Sequence, residues 1–175
     1  MNPILNTFPT IKTERLVLRK LKVSDVDDLY ALYNSAETQR FQNKHYYSRD
    51  SLIEYILIQD IAFNNGEQII WAIERISDNA FIGVRILYCD EGSDFMEIQG
   101  DTKSIFWKQG YTKEAYKGIL SFLKNKNIEG VYAKINSENS NATFLIKSIG
   151  FTLNRSYIEN DLIFNEFVLD LSLSN

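Results

Sequence analysis

Residues 107–115, Trp107-Lys108-Gln109-Gly110-Tyr111-Thr112-Lys113-Glu114-Ala115, form a turn with one glycine that follows an apparent strand and opens an amphipathic helix. Such a join is an anion cradle. The first N–H groups of a helix lack intrahelical partners, and the macrodipole adds partial positive charge at that end. Gly110 lacks a Cβ, so the backbone can approach a ligand or take a positive φ, while Lys108 and Lys113 add positive charge on either side. Taken alone, the turn is equally an ordinary strand-to-helix connection. A second signal follows downstream: Asn139 to Phe151 reads as a short helix stopped by Gly150 and re-entering a strand. The two together are more specific than either.

Outward from the cradle, Phe95 to Lys103 is a strand candidate, and the helix after Gly110 runs to about Lys124. Towards the N-terminus, Thr13 to Lys20 alternates as a first strand with Leu16 and Leu18 on one face. Ser24 precedes a helix over Asp25 to Asn34, with Asp27 completing a capping-box-like start. A second helix follows Ser48, with Leu52, Ile53, Ile56, Leu57, Ile61 and Phe63 as its buried side and Asn64-Asn65-Gly66 as its stop. Gln68 to Ile76 and Ala80 to Tyr88 read as a hairpin around Ser77-Asp78-Asn79. Beyond the cradle helix come a strand over Gly130 to Ile135, a helix over Ser140 to Ser148, and a closing antiparallel pair, Phe151 to Tyr157 and Leu162 to Leu171. This order predicts one mixed α/β domain spanning residues 1–175 and built on one central sheet.

Composition narrows the class. The 175 residues are 45% hydrophobic and 24% charged, ordinary for a globular chain and unlike a disordered one. The sequence has no apolar run of transmembrane length and no signal-peptide pattern at its start, so the expectation is a cytoplasmic protein. A lone cysteine, Cys89, and a lone histidine, His45, leave no disulfide and no conventional zinc site, so no metal is expected. A formal net charge of −4 disfavours nucleic acid and membrane surfaces as partners and suits a cationic or amine substrate.

The motifs resemble the GNAT superfamily of acyl-CoA-dependent N-acyltransferases, and in particular its branch of ribosomal-protein-alanine N-acetyltransferases. Residues 107–115 are similar to that branch's Trp-Gly-Lys-Gly-Tyr-Ala-Thr-Glu-Ala, Asn139 to Phe151 to its Asn-x-x-Ser/Ala helix ending in Gly-Phe, and Thr13 to Arg19 to its opening strand. The resemblance implies a mostly antiparallel twisted sheet, splayed in the middle and flanked by about four helices. It implies acetyl-CoA as cosubstrate, with Thr102, Lys108, Gln109, Gly110, Tyr111, Thr112, Lys113 and Asn139 binding it. Lys108 and Thr112 depart from the branch's small residues, and Ile146 stands where many members carry a tyrosine that protonates the leaving thiolate.

An amine attacks a thioester only when unprotonated, so the chemistry needs a base and a polarised carbonyl. A regular strand would put Glu97, Gln99 and Asp101 on one face, a polar stripe where a central strand is usually apolar. Glu97 is the first candidate base, by resemblance, and Asp101 the second. The alternative is that both carboxyls are exposed or satisfied by neighbouring donors. Asn139 equally serves as a helix cap, His45 and its flanking tyrosines equally form a surface loop, and Phe106, Trp107 and Tyr111 are expected in the core rather than as a stacking platform. The expected reaction is direct acetyl transfer to a primary amine such as a protein N-terminus, a polyamine or another small amine. A CoA-binding or protein-interaction module without turnover is the competing expectation. The exposed sheet ends are compatible with a homodimer.

Overall fold

The computed structural model describes residues 7–41, 46–89 and 95–172; His45 lies outside them. Eight strands form one sheet in the order β1-β2-β3-β4-β5-β6-β8-β7. They are β1 (Ile11–Lys12), β2 (Leu16–Lys20), β3 (Gln68–Arg75), β4 (Phe81–Tyr88), β5 (Phe95–Gln99), β6 (Gly130–Asn136), β7 (Thr152–Glu159) and β8 (Leu162–Asp170). All neighbours are antiparallel except β5 and β6, which run parallel and pair only over Phe95↔Gly130, Met96↔Val131 and Glu97↔Tyr132. Beyond Glu97 the two central strands part. This is the splay that the family resemblance implies, and it falls on β5 as expected.

The helices are α1 (Val26–Tyr33), α2 (Ala36–Gln39), α3 (Arg49–Asn64), α4 (Tyr111–Lys124) and α5 (Ser140–Ile149). Four are those anticipated, and α2 adds a single turn capped by the Ser35 hydroxyl, which accepts from the Thr38 N–H. Helices α1 and α3 cover one sheet face, where Leu29, Leu32, Leu52 and Ile56 pack on Ile70, Ala72, Val84 and Ile86. Helix α4 covers the other, with Ala115, Ile119 and Leu123 against Leu16, Leu18, Ile73, Met96 and Ile98. Both faces being buried explains why β3 and β4 read as continuous apolar runs.

Three expectations are corrected. Ser24 does not cap α1: the N-cap position is Asp25, whose side chain makes no cap bond to that helix and whose carboxylate instead accepts the Lys22 N–H at 2.8 Å and pairs with Arg19, holding a tight 3-10 turn at Val23–Asp25. On α3 only Leu52 and Ile56 of the assigned apolar side are fully buried, while Leu57 and Ile61 are exposed. The helix is apolar over more of its circumference than the sheet can cover. Finally, the strand expected over Phe95–Lys103 is regular only to Gln99. Gly100 takes φ +144°, and a Cβ there would lie 2.2 Å from the Val84 carbonyl oxygen. The regular ladder lapses there, but the chain stays alongside β4 in unchanged register, with Gly83 opposite Thr102.

The closing hairpin of β7 and β8 turns through Asn160 and Asp161, both at positive φ, as a two-residue turn matching strand twist requires.

Candidate active site

The glycine turn opens a helix as its sequence implies. Gly110 is the N-cap of α4 in left-handed conformation, φ +82°. Lys108 also takes positive φ, +59°, so it keeps the backbone conformation that glycine favours although it is not glycine. Left-handed residues at 108 and 110 lead into a 14-residue helix, whose first main-chain N–H groups have no intrahelical acceptor. The back of the loop is fastened from the first strand: Arg15 donates from Nη1 to the Gln109 carbonyl at 3.1 Å and from Nε to Glu114 at 2.6 Å. Glu114 also accepts from the Thr13 hydroxyl at 2.6 Å and the Arg15 N–H at 2.8 Å. Burial works against the Glu114 charge, but these donors prevail and hold its carboxyl below the usual glutamate value.

Side chains at the cradle divide by task. Tyr111 turns into the core, where its hydroxyl accepts from Arg75, and Phe106 is buried beside it. Both are core residues, as expected, whereas Trp107 is half-exposed and donates from its indole to the Thr102 carbonyl at 2.7 Å. Lys113 donates to the Ser148 carbonyl at the end of α5, and Gln109 to the Ile105 carbonyl. Lys108 is exposed at the loop's tip. The Thr112 and Thr102 hydroxyls lie 3.0 Å apart, joining the start of α4 to the segment after β5. Asn139 caps α5, accepting from the Ala142 N–H at 3.1 Å.

The candidate bases lie where the central strands part. Glu97 faces the α1/α3 side and forms an ion pair with Lys134 of β6 at 2.7 Å, across the opening of the splay. Gln99, on the same face, donates to the Tyr88 hydroxyl at 2.8 Å. The expected stripe of three residues holds: the register against β4 is the same at Ile86↔Gln99 and Gly83↔Thr102, so Asp101 falls on the face of Glu97 and Gln99. The Asp101 charge adds to the burial that chiefly raises Tyr33, Tyr55 and Tyr116, and it partly offsets the burial that lowers Arg85.

Sequence patterning missed the tyrosines. Tyr33, from α1, and Tyr55, from α3, share a hydrogen bond, and both hydroxyls are pushed up chiefly by burial. Tyr88 joins them from β4, raised by burial and by the Glu97 charge against the hydrogen bond from Gln99. These phenols stay protonated at neutral pH, giving the α1/α3 side of the splay a wall of neutral hydroxyls with carboxylates near it. In sequence, Tyr33 counts simply as one more apolar position of an amphipathic helix. The signal that could have found them is the surplus of tyrosines on elements that pack on one sheet face. Ile146 is buried at 2% exposure in the core between α5 and the sheet. Among the described residues no group of three or more His, Cys, Asp or Glu side chains could hold a metal, and no helix is long and apolar enough to cross a membrane.

Comparison with known proteins agrees with this geometry. The chain is 23% identical over 145 residues to the uncharacterized N-acetyltransferase p20 of Bacillus licheniformis, covering 81% of this chain and 82% of that protein. Among solved structures, the ribosomal-protein-S5-alanine acetyltransferase of Vibrio fischeri superposes with a TM-score of 0.81 at 11% identity, over 94% of this chain and 98% of the other. The spermidine N-acetyltransferase of Vibrio cholerae, solved with CoA and spermine, gives 0.80 at 18% identity, over 91% and 98%. The profile of the acetyltransferase (GNAT) domain family matches residues 15–152, most of the chain, and the protein therefore belongs to the GNAT acetyltransferases.

Proposed function

We propose that this protein is an acetyl-CoA-dependent N-acetyltransferase that acts by direct transfer to a primary amine held on the α1/α3 side of the splay. One observation carries the reading: the β5/β6 register ends at Glu97↔Tyr132, beside a helix start whose Gly110 cap is left-handed. A parted pair of strands next to an anion cradle suits a ligand with a diphosphate at one end and a narrow amide-bearing arm at the other. The residues fit that ligand. Gly110, Tyr111 and Thr112 would offer main-chain N–H groups to the diphosphate, Lys108 would add charge from the loop tip, and Asn139 and Thr102 flank the path of the arm.

Acetyl-CoA supplies the activated acetyl group as a thioester. The protein's own tasks are to remove a proton from the amine and to stabilise the charge that develops on the carbonyl oxygen. Glu97 and Asp101 are the carboxylates available for the first task, with Glu97 freed when Lys134 swings to solvent. Tyr33, Tyr55 and Tyr88 would line the acceptor. Neutral hydroxyls and nearby carboxylates suit a polyamine or a protein N-terminus; a spermidine N-acetyltransferase and a ribosomal-protein-S5-alanine acetyltransferase are among the structural neighbours. A cytoplasmic setting and a single domain of 175 residues complete the proposal.

A second reading, CoA binding without turnover, draws on two observations: the ion pair that occupies Glu97, and the burial of Ile146 at the position of the family's acid. Steady-state assays of acetyl-CoA with spermidine and with peptides starting in alanine or serine separate the two. Turnover is expected, with Glu97→Gln or Asp101→Asn lowering kcat by about a hundredfold while CoA affinity stays unchanged. Tight CoA binding with no turnover of any amine would establish the second reading.

A further inference from the structure

Arg85 of β4 is a buried cation that the account so far leaves without a purpose. It is 1% exposed. Its described hydrogen-bond partners are all neutral: the Val84 carbonyl, the Asp101 carbonyl at 3.1 Å from Nη1, and the Thr102 hydroxyl at 2.9 Å from Nη2. Its Nε is buried with no hydrogen-bond partner, and the guanidinium stacks 5.0 Å from the centre of the Tyr116 ring. Burial pulls its pKa down, against the nearby Tyr116 and the Asp101 charge. Retaining an arginine where an apolar residue of similar volume would avoid the desolvation cost calls for a compensating role.

Its bond to the Asp101 carbonyl suggests one. Val84 N–H also donates to that oxygen at 2.9 Å, and Lys103 N–H donates to the Ile82 carbonyl at 2.9 Å. In an antiparallel ladder, bonds at those positions place Thr102, opposite Gly83, with its own N–H pointing away from β4. The sheet neighbour on that side is β6, and its pairing with β5 has already ended at Glu97↔Tyr132. The Thr102 N–H therefore faces the splay. No cis peptide bond occurs among the described residues, so the 101–102 amide is trans and its C=O and N–H point in opposite directions. A cation drawing electron density from the oxygen of a conjugated amide strengthens the N–H at the other end as a donor.

We propose that Arg85 is a positioning residue that polarises the 101–102 peptide, making the Thr102 N–H the donor that receives charge on the thioester oxygen during transfer. The arginine touches no reacting atom. It acts from the opposite side of the strand, and its second bond, to the Thr102 hydroxyl, fixes the direction in which that N–H points. The inference rests on the acetyltransferase reading above.

The test compares wild type with Arg85→Met and Arg85→Lys in the full-length protein, by amide NMR without ligand and by steady-state kinetics. In Arg85→Met the Thr102 amide proton is expected to move upfield by several tenths of a ppm while the Leu87 and Ile98 amides hold. The kcat is expected to fall about tenfold with KM for acetyl-CoA within twofold, and Arg85→Lys, which keeps the charge, is expected to recover part of both. An unmoved Thr102 amide overturns the proposal whatever the activity. So does a shifted amide with unchanged kcat, or a loss expressed in KM alone, which would mark a packing role. Should Arg85→Met not fold, Arg85→Lys decides by the same amide and kcat readouts. A wild type that turns over no amine would instead remove the enzymatic reading itself, and the NMR result would still report whether Arg85 polarises the peptide.

Discussion

Replacing Gly83 with alanine tests the geometry on which the central opening depends. The Cβ would sit 2.1 Å from the Asp101 carbonyl oxygen and 2.9 Å from the Thr102 Cα, both backbone atoms with no rotamer to yield. Ordinary carbon-to-oxygen contacts lie near 3.3 Å or beyond, so the 101–102 segment must retreat by roughly 1 Å. That retreat stretches the Val84 N–H bond to Asp101 and the Lys103 N–H bond to Ile82, both 2.9 Å, past useful length, and loosens the 3.1 Å bond from Arg85. Two neutral backbone bonds at about 1 kcal/mol each and one charged bond at about 2 kcal/mol give a loss of about 4 kcal/mol. For a chain of this size that corresponds to a fall in Tm of roughly 10 °C.

Urea denaturation followed by circular dichroism measures it directly, with the m-value showing that the folded state keeps its compactness. Activity would drop more than the folded fraction does, because Asp101 and Thr102 move with the displaced segment. A loss below about 1 kcal/mol would show that the 101–102 segment is not pressed against β4, and the arguments for the Thr102 N–H would go with it.

Lys108→Gly is expected to stabilise the protein by about 0.5–1 kcal/mol, because φ +59° costs lysine and not glycine, while weakening CoA binding several-fold by removing a cation; urea midpoints and calorimetry read the two signs separately. Glu114→Gln is expected to cost about 1–2 kcal/mol at pH 7 by weakening the contacts to Thr13 and Arg15. Its partners hold the native Glu114 carboxyl below the ordinary glutamate value of 4.5, so its contribution is present above that value and lost as pH falls through the folded one; wild type should therefore lose stability below about pH 4.5 more steeply than the variant, and parallel curves would refute the assignment. Ile56→Ala should cost about 3 kcal/mol at a buried site, whereas Ile61→Gln on the same helix should fall within about 0.5 kcal/mol, and equal losses would place Ile61 in the core after all.

What the sequence made legible followed from local chemistry. Gly110 and Gly150 both take positive φ at helix ends, and the apolar spacing of α4 and the alternation of β2 carry straight into the structure. The departures came where tertiary packing decides. Leu57 and Ile61 satisfy the helical period yet meet no partner, because the sheet spans only the Leu52 and Ile56 side of α3. The Glu97-Gln99-Asp101 stripe keeps its one face, but the positive φ of Gly100, which ends β5 at Gln99, shows only in its contact with Val84. Lys134 and Tyr55 could not be joined to the site from sequence, since their partners lie on elements far along the chain.

The 101–102 peptide explains why the two sides of the opening cannot vary independently. Asp101 contributes its charge to the tyrosines of the α1/α3 face and, through its carbonyl, accepts from Arg85 on the α4 face. Thr102, the next residue, continues that link to Thr112 at the cradle. Strand alternation sends the Asp101 and Thr102 side chains to opposite faces, so both sets of contacts meet in one peptide unit, held close to β4 by the side-chain-free Gly83 and Gly100. An acceptor that pushes on the Asp101 side chain therefore tilts the same amide whose N–H faces the splay and whose neighbour is tied to the start of α4. Coupling between amine and acetyl-CoA binding follows from that shared peptide, and Gly83→Ala, which displaces it, should abolish the coupling even in the fraction of molecules that remain folded.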